Sequence, residues 1–108
     1  MSKLEDFRTR LAQLTTAADT HPERFGEGVR LLFSCRSDNL PADLAKAHSQ
    51  GIEARGVGRM HILVEVEDRV PDADWLAHEG LALAAYFDSI AGANPQVDVD
   101  RGPTDLPE

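Results

Sequence analysis

Three short segments in which apolar and polar residues alternate constrain the fold of this chain more than any other feature. They cover residues 29–36, 59–67 and 96–100. A period of two is typical of a strand that buries one face and exposes the other. The positions that we predict to face inward are Val29, Leu31, Phe33, Cys35, Met60, Ile62, Val64, Val66, Val97 and Val99. The sequence therefore predicts a sheet with one buried face.

Helical patterns surround these segments. A capping box of Ser2 and Glu5 precedes an apolar stripe, which predicts a first helix over residues 3–18. Possible N-caps at residues 37–39 precede a short second helix that is expected to end at Gly51.

The remaining elements complete the order of the chain. We expect a brief strand over residues 52–55 and a tight reversal over residues 56–58, where two glycines flank a valine. Asp72 or Asp74 is expected to cap a last helix with one apolar face, which ends before Pro95.

This order predicts the α+β class, specifically a ferredoxin-like βαββαβ antiparallel sheet with an additional N-terminal helix. Its expected spatial strand order is 4-1-3-2. At 108 residues the chain is expected to form a single domain, 1–108. Within it we predict an N-terminal helix region at 1–20, the βαββαβ core at 28–101 and a flexible tail at 102–108.

The outward sheet face is expected to carry two leucines, Leu32 and Leu63, among charged residues. Apolar side chains at the centre of a sheet need a cover. Either the N-terminal helix or a second copy of the sheet could supply it, and we favour the helix because its own apolar stripe also needs burial.

Acidic residues outnumber basic ones by 19 to 11, which gives the chain a formal net charge of −8 at pH 7. This charge disfavours nucleic-acid binding and would attract a basic partner, although it also serves ordinary solubility. No segment reaches the ~18 apolar residues of a membrane span. The only cysteine, Cys35, cannot form an internal disulfide. We therefore expect a cytoplasmic protein with no direct nucleic-acid or membrane contact.

The ionisable residues form no catalytic signature. The four histidines are spaced so that no two share one face of a helix or strand, and we predict no metal site and no cofactor. His61 is the best candidate for an acid or base, since it is expected on the outward face near Glu65, but we favour its interpretation as a surface or helix-covered sheet residue. Cys35 is expected to be a small buried hydrophobe. We predict no catalytic residue and no enzymatic activity.

Four fragments carry a resemblance to a known family: Ser37-Asp38-Asn39-Leu40, Gln50-Gly51-Ile52-Glu53, Ala73-Asp74-Trp75-Leu76 and Leu83-Ala84-Ala85-Tyr86-Phe87-Asp88. With the order of the elements, they resemble the ribonuclease E inhibitor family of the regulator of ribonuclease activity B type. The family carries a Tyr-Asp-Gly-Trp-like turn after its last strand, and residues 97–102 depart from it. The resemblance implies a non-catalytic protein that restrains a nuclease, with Asp98 and Asp100 as candidate contacts by position.

Three hypotheses of function follow. In the first, an acidic sheet edge and tail dock on a basic protein partner, such as a nuclease or nucleic-acid-binding effector, as a cellular regulator, phage inhibitor or immunity protein would. The candidate contacts are Glu65, Glu67, Asp98, Asp100 and Asp105. In the second, a ferredoxin-like homodimer encloses a small-molecule pocket around His61, as a binding protein or as an enzyme with His61 as its acid or base. In the third, the first helix docks a structural subunit on another chain.

Overall fold

The computed structural model describes residues 3–90 and 92–100. The strands are β1 (Arg30–Arg36), β2 (Ala54–Val57), β3 (His61–Glu67) and β4 (Gln96–Asp100). The helices are α1 (Lys3–Thr20), α2 (Leu40–Ser49) and α3 (residues 73–88), with a 3-10 turn at Pro22–Arg24. The predicted cap Ser2, the candidate contact Asp105 and the predicted tail 102–108 lie outside the described residues.

The four strands form one antiparallel sheet in the order β2-β3-β1-β4. Counted from the other edge, this order is β4-β1-β3-β2. Phe33 on β1 lies opposite Val64 on β3 and Val97 on β4, so the inward positions of the three alternating segments line up across the sheet. The predicted α+β class with an antiparallel sheet is therefore confirmed.

The core lies between the inward sheet face and the helices. Leu31, Phe33 and Ile62 are fully buried, because β1 and β3 are the two central strands and helices cover their inward side. Trp75 of α3 stacks on Phe33, with 6.0 Å between the ring centroids. This contact places α3 against the middle of the sheet.

The helix α1 packs on this same face, so the expectation that it covers the outward face is wrong. Phe7 is 1% exposed and makes edge-to-face contacts with Phe33 and Phe87, at centroid distances of 6.3 and 5.6 Å. An aromatic pocket between β1 and α3 takes up the apolar stripe of α1, because these rings offer more apolar surface than the two leucines of the outward face.

The second strand begins and ends two residues later than predicted. It was expected at residues 52–55, but it covers Ala54–Val57, and the reversal lies at residues 58–60, with Gly58 at a φ of +65°. Gly56 is a strand residue. A Cβ added to it would lie 2.8 Å from the Leu40 side chain of α2. The lack of a side chain at Gly56 therefore lets α2 pack closely on β2, and this glycine does not form the turn.

The last helix is interrupted by a π-turn. Its α-helical parts are Ala73–Trp75 and Leu81–Asp88, and Leu76–Gly80 between them has π-helical hydrogen bonding. The side chain of Asp72 accepts the Trp75 N–H at 2.9 Å, so Asp72 and not Asp74 is the cap. An added Cβ on Gly80 would lie 2.8 Å from atoms of Leu76 and Trp75, which shows how tightly the π-turn closes on the indole.

Candidate functional site

The outward side of the sheet, which we call the open face, is polar and has two half-buried leucines near its centre. Its residues are Arg30, Leu32, Ser34, Arg36, Arg55, Val57, His61, Leu63, Glu65, Glu67, Gln96, Asp98 and Asp100. The three helices pack through inward residues of the sheet, as the contacts of Phe7, Trp75 and Leu40 show. Within the described part of the chain, the open face therefore faces solvent.

The strand register gathers four of the predicted contact residues at one end of the open face, which we call the acidic end. Arg30 of β1 lies between Glu67 and Asp100, and the neighbouring Leu32 lies between Glu65 and Asp98. The acidic end is defined by Glu65, Glu67, Asp98 and Asp100. Two strands that are far apart in the sequence thus place their carboxylates on both sides of β1.

Ion pairs order part of the acidic end. Arg30 donates to Glu65 at 3.3 Å and also pairs with Asp100, while Arg55 of β2 pairs with the other oxygen of Glu65. The hydrogen bond to Asp100 and the charge of that carboxylate raise the pKa of Arg30, and Glu65 and Glu67 add to the effect. Arginine therefore holds two of the four carboxylates in place.

The other two acids of this end point to solvent. Glu67 and Asp98 are exposed, and neither forms an ion pair with another residue in the described ranges. An exposed carboxylate beside half-buried Leu32 can meet a cationic group on a protein surface without first breaking an internal pair.

His61 lies at the other end of β3 and does not join the acidic end. Across the sheet it faces Arg36 and Val57, and all three side chains are exposed. His61 and Glu65 are four positions apart on β3, which is about 13 Å along a strand. The structure therefore does not bring the candidate acid or base near the carboxylate that was expected beside it.

Cys35 lies on the covered face, as predicted, beside a small polar cluster. Tyr86 donates to the carbonyl oxygen of Asp43 at 2.6 Å, and the hydroxyl of Ser37 donates to the Asp43 carboxylate. Cys35 is 2% exposed, and burial, with a contribution from Asp43, raises its pKa to about 12. Burial therefore favours the protonated thiol at neutral pH, as is typical of a cysteine that packs as a small apolar side chain.

A cleft of about 560 Å³, which we call the edge cleft, opens where the chain leading into β2 departs from β3. Its floor is apolar and includes Val64, Val66, Trp75 and Leu83, while Ile52 and Glu53 form the wall toward α2. A second hollow of about 580 Å³ lies beside it along β2 and shares Glu53, Glu65 and Glu67. The acidic end therefore continues around the sheet edge into the edge cleft.

The rim of the edge cleft carries more acid than base. Its ionisable residues are Glu53, Glu65, Glu67, Arg69, His78 and Glu79. Arg69 lies 3.9 Å from Glu79, so one of the acids is balanced within the rim. The indole Nε1 of Trp75 is buried and finds no acceptor among the described residues. Sequence reasoning missed this cleft, because it depends on where β2 begins.

Among residues 3–90 and 92–100, no group of three or more histidine, cysteine, aspartate and glutamate side chains is placed to hold a metal ion. None of the helices in these ranges has both the length and the apolar character that crossing a membrane requires. Comparison with protein-family models, with curated proteins and with solved structures found no match.

Proposed function

We propose that this chain is a non-catalytic, acidic binding protein that inhibits or regulates a basic protein partner, such as a nuclease or a nucleic-acid-binding effector. The observation that carries the proposal is the acidic end, where β3 and β4 place four carboxylates around one end of an open sheet face. Asp105 belongs to the proposed contact set by its place in the sequence, because it follows β4 closely.

Charge and shape both support a protein partner. The net charge of −8 steers a basic surface toward the chain, and Leu32 and Leu63 supply half-buried apolar contact beside the carboxylates. The sequence resemblance to the ribonuclease E inhibitor family favours a nuclease as the partner. The single buried cysteine suits a cytoplasmic setting.

The fold class that we propose with this function is ferredoxin-like. The order β1-α2-β2-β3-α3-β4 repeats a strand-helix-strand unit, and the sheet order supports that assignment. In this arrangement both helices of the repeat lie on one side, which leaves the other side for binding. The helix α1 adds to the covered side through Phe7.

Affinity capture from the native cell tests the proposal when it compares charge variants of the acidic end. We expect the unmodified protein to retain a basic protein and the double variant Glu67→Lys/Asp98→Lys to lose it, because attraction becomes repulsion. The double variant Asp19→Lys/Asp88→Lys is the matched control, since it changes the net charge by the same amount at two exposed acids on α1 and α3, on the covered side of the sheet.

The retained partner is then purified and its affinity is measured from low to high ionic strength. A contact governed by charge weakens steeply as salt is added. Retention of the same protein by the double variant, or an affinity independent of salt, would contradict the proposal.

A second candidate function is a homodimer that binds a small molecule around His61. One observation favours it: no helix of the described ranges covers the open face, so a second sheet could lie on it. Sedimentation equilibrium tests this candidate. A monomer at tens of micromolar protein would eliminate the enclosed pocket, because His61 is exposed at the end of the sheet when no second copy covers it.

A further inference from the structure

The two strands that border the edge cleft differ in length, and the difference leaves part of β3 without a neighbour. β2 pairs with β3 only from Ala54 opposite Val64 to Val57 opposite His61. The next three residues of β3, Glu65 to Glu67, pair with β1 on one side, while on the other side no strand of the described ranges accompanies them. This side of the backbone faces the edge cleft.

Unpaired strand edges are templates for another extended chain. An added strand would occupy the position that a longer β2 would fill. The cleft offers the space for it, because the chain at residues 50–53 diverges from β3 and lines the opposite wall.

The alternation along β3 determines which side chains such a strand should carry. Glu65 and Glu67 project onto the open face, whereas Val66 projects toward Trp75 and Leu83 on the covered side. In a paired strand, residues directly opposite each other project to the same face. A fitting segment therefore has a basic residue opposite Glu65, an apolar residue opposite Val66 and a basic residue opposite Glu67.

We propose that the edge cleft binds an extended segment of the sequence type basic-apolar-basic, which adds a short strand to the free edge of β3. This inference rests on the proposed function and identifies the part of the basic partner that docks. The apolar side chain enters the cleft above Trp75, and the two cations meet the acidic rim formed by Glu53, Glu65 and Glu67.

A five-residue peptide, acetyl-Thr-Lys-Val-Lys-Thr-amide, is the probe that tests the inference. Trp75 is the only tryptophan of the chain and lies in the floor of the cleft, so its fluorescence reports occupancy. We expect a saturable change in emission. The acidic peptide acetyl-Thr-Glu-Val-Glu-Thr-amide should bind at least tenfold more weakly, because its charges repel the rim.

N-methylated peptides distinguish strand pairing from general charge attraction. Successive backbone N–H groups of a strand point to opposite sides, so methylation of the valine amide and methylation of both lysine amides block different edges. We expect one of these two peptides to lose binding and the other to keep it. Equal binding by both would overturn the inference.

Protein variants locate the site and separate this inference from the proposed function. Glu67→Lys should weaken peptide binding roughly fivefold, and Asp98→Lys on β4 should leave it within about twofold, because β4 is at the other edge of the sheet. Circular dichroism confirms that both variants fold. If the partner requires Glu67 and Asp98 but no peptide binds at millimolar concentration, the edge-strand inference fails and the proposed function stands.

Discussion

The two faces of β1 show the difference between the parts of this molecule that stabilise it and the part that is available for binding. Leu31 and Phe33 are completely buried under helices, while Leu32 between them is only half-buried on the open face. Neighbouring residues of one strand thus have opposite surroundings. Because apolar burial is the main favourable contribution to folding, the covered face should account for most of the stability.

The polar groups of the two faces differ in the same way. On the covered side, Tyr86 is 1% exposed, and its hydroxyl donates to the carbonyl oxygen of Asp43. On the open face, the Arg30 side chain is 45% exposed and shares its charge between Glu65 and Asp100. Exposed ion pairs contribute little to stability, so the open-face charges can change without loss of the fold.

Removing the central ring of the covered face should have the largest effect. Phe33→Ala removes contacts with Phe7 and Trp75, and we expect a loss of about 3–5 kcal/mol in the free energy of unfolding. Leu32→Ala on the open face should cost only about 1 kcal/mol, because this side chain stays partly in water when folded. Urea unfolding curves measure both, and equal losses would contradict the contrast between the faces.

The sequence predicts the central strands well because one of their faces is fully buried. Burial of every second residue in β1 and β3 imposes the alternation that is visible in the sequence. The short edge strand β2 lacks this signal, since Ala54 is its only buried residue. Two glycines around Val57 also imitate a turn, so the strand was predicted two residues too early.

Long-range packing decides what sequence periodicity does not. The apolar stripe of α1 indicates that the helix needs burial, but the position of Phe7 depends on the gap between Phe33 and Phe87. The π-turn likewise places Gly80 against the ring of Trp75, which stacks on Phe33 of β1. The alternation predicts that the carboxylates of the acidic end face outward, whereas the edge cleft depends on the observed start of β2 at Ala54.

Alkaline pH should weaken the covered face through Cys35 and Tyr86. Burial raises the pKa of both to about 12, from ordinary values of 9.0 and 10.0. Above pH 9 the unfolded chain loses these protons while the folded chain still holds them, so the contribution of the two groups to stability is fully present below pH 9 and declines as pH rises toward 12. Urea midpoints across this range measure the decline, which the double variant Cys35→Ala/Tyr86→Phe should reduce. An equal slope in both proteins would contradict this assignment.

Two glycines on the covered side should differ in their tolerance of a methyl group. In Gly80→Ala the new Cβ meets the rigid ring of Trp75 at 2.8 Å, and we expect a net loss of roughly 1–3 kcal/mol. Gly56→Ala meets the mobile end of Leu40 at the same distance, so a small rotation of that side chain should limit its cost. Thermal unfolding of the two variants measures the difference. A larger loss for Gly56→Ala would show that the π-turn adapts more easily than the edge of the sheet.

The smallest effect is expected on the open face, from Arg55→Gln. This change breaks one of the two ion pairs of Glu65, while Arg30 keeps the carboxylate paired. The Arg55 side chain is 67% exposed, so the loss should be below ~1 kcal/mol and should vanish in roughly 1 M salt. Urea unfolding at low and high salt measures it. A salt-independent loss of about 2 kcal/mol or more would contradict this expectation. The ion pairs of the open face would then stabilise the fold as much as buried hydrogen bonds do, and these charged residues could not be changed or engaged by a partner without loss of stability.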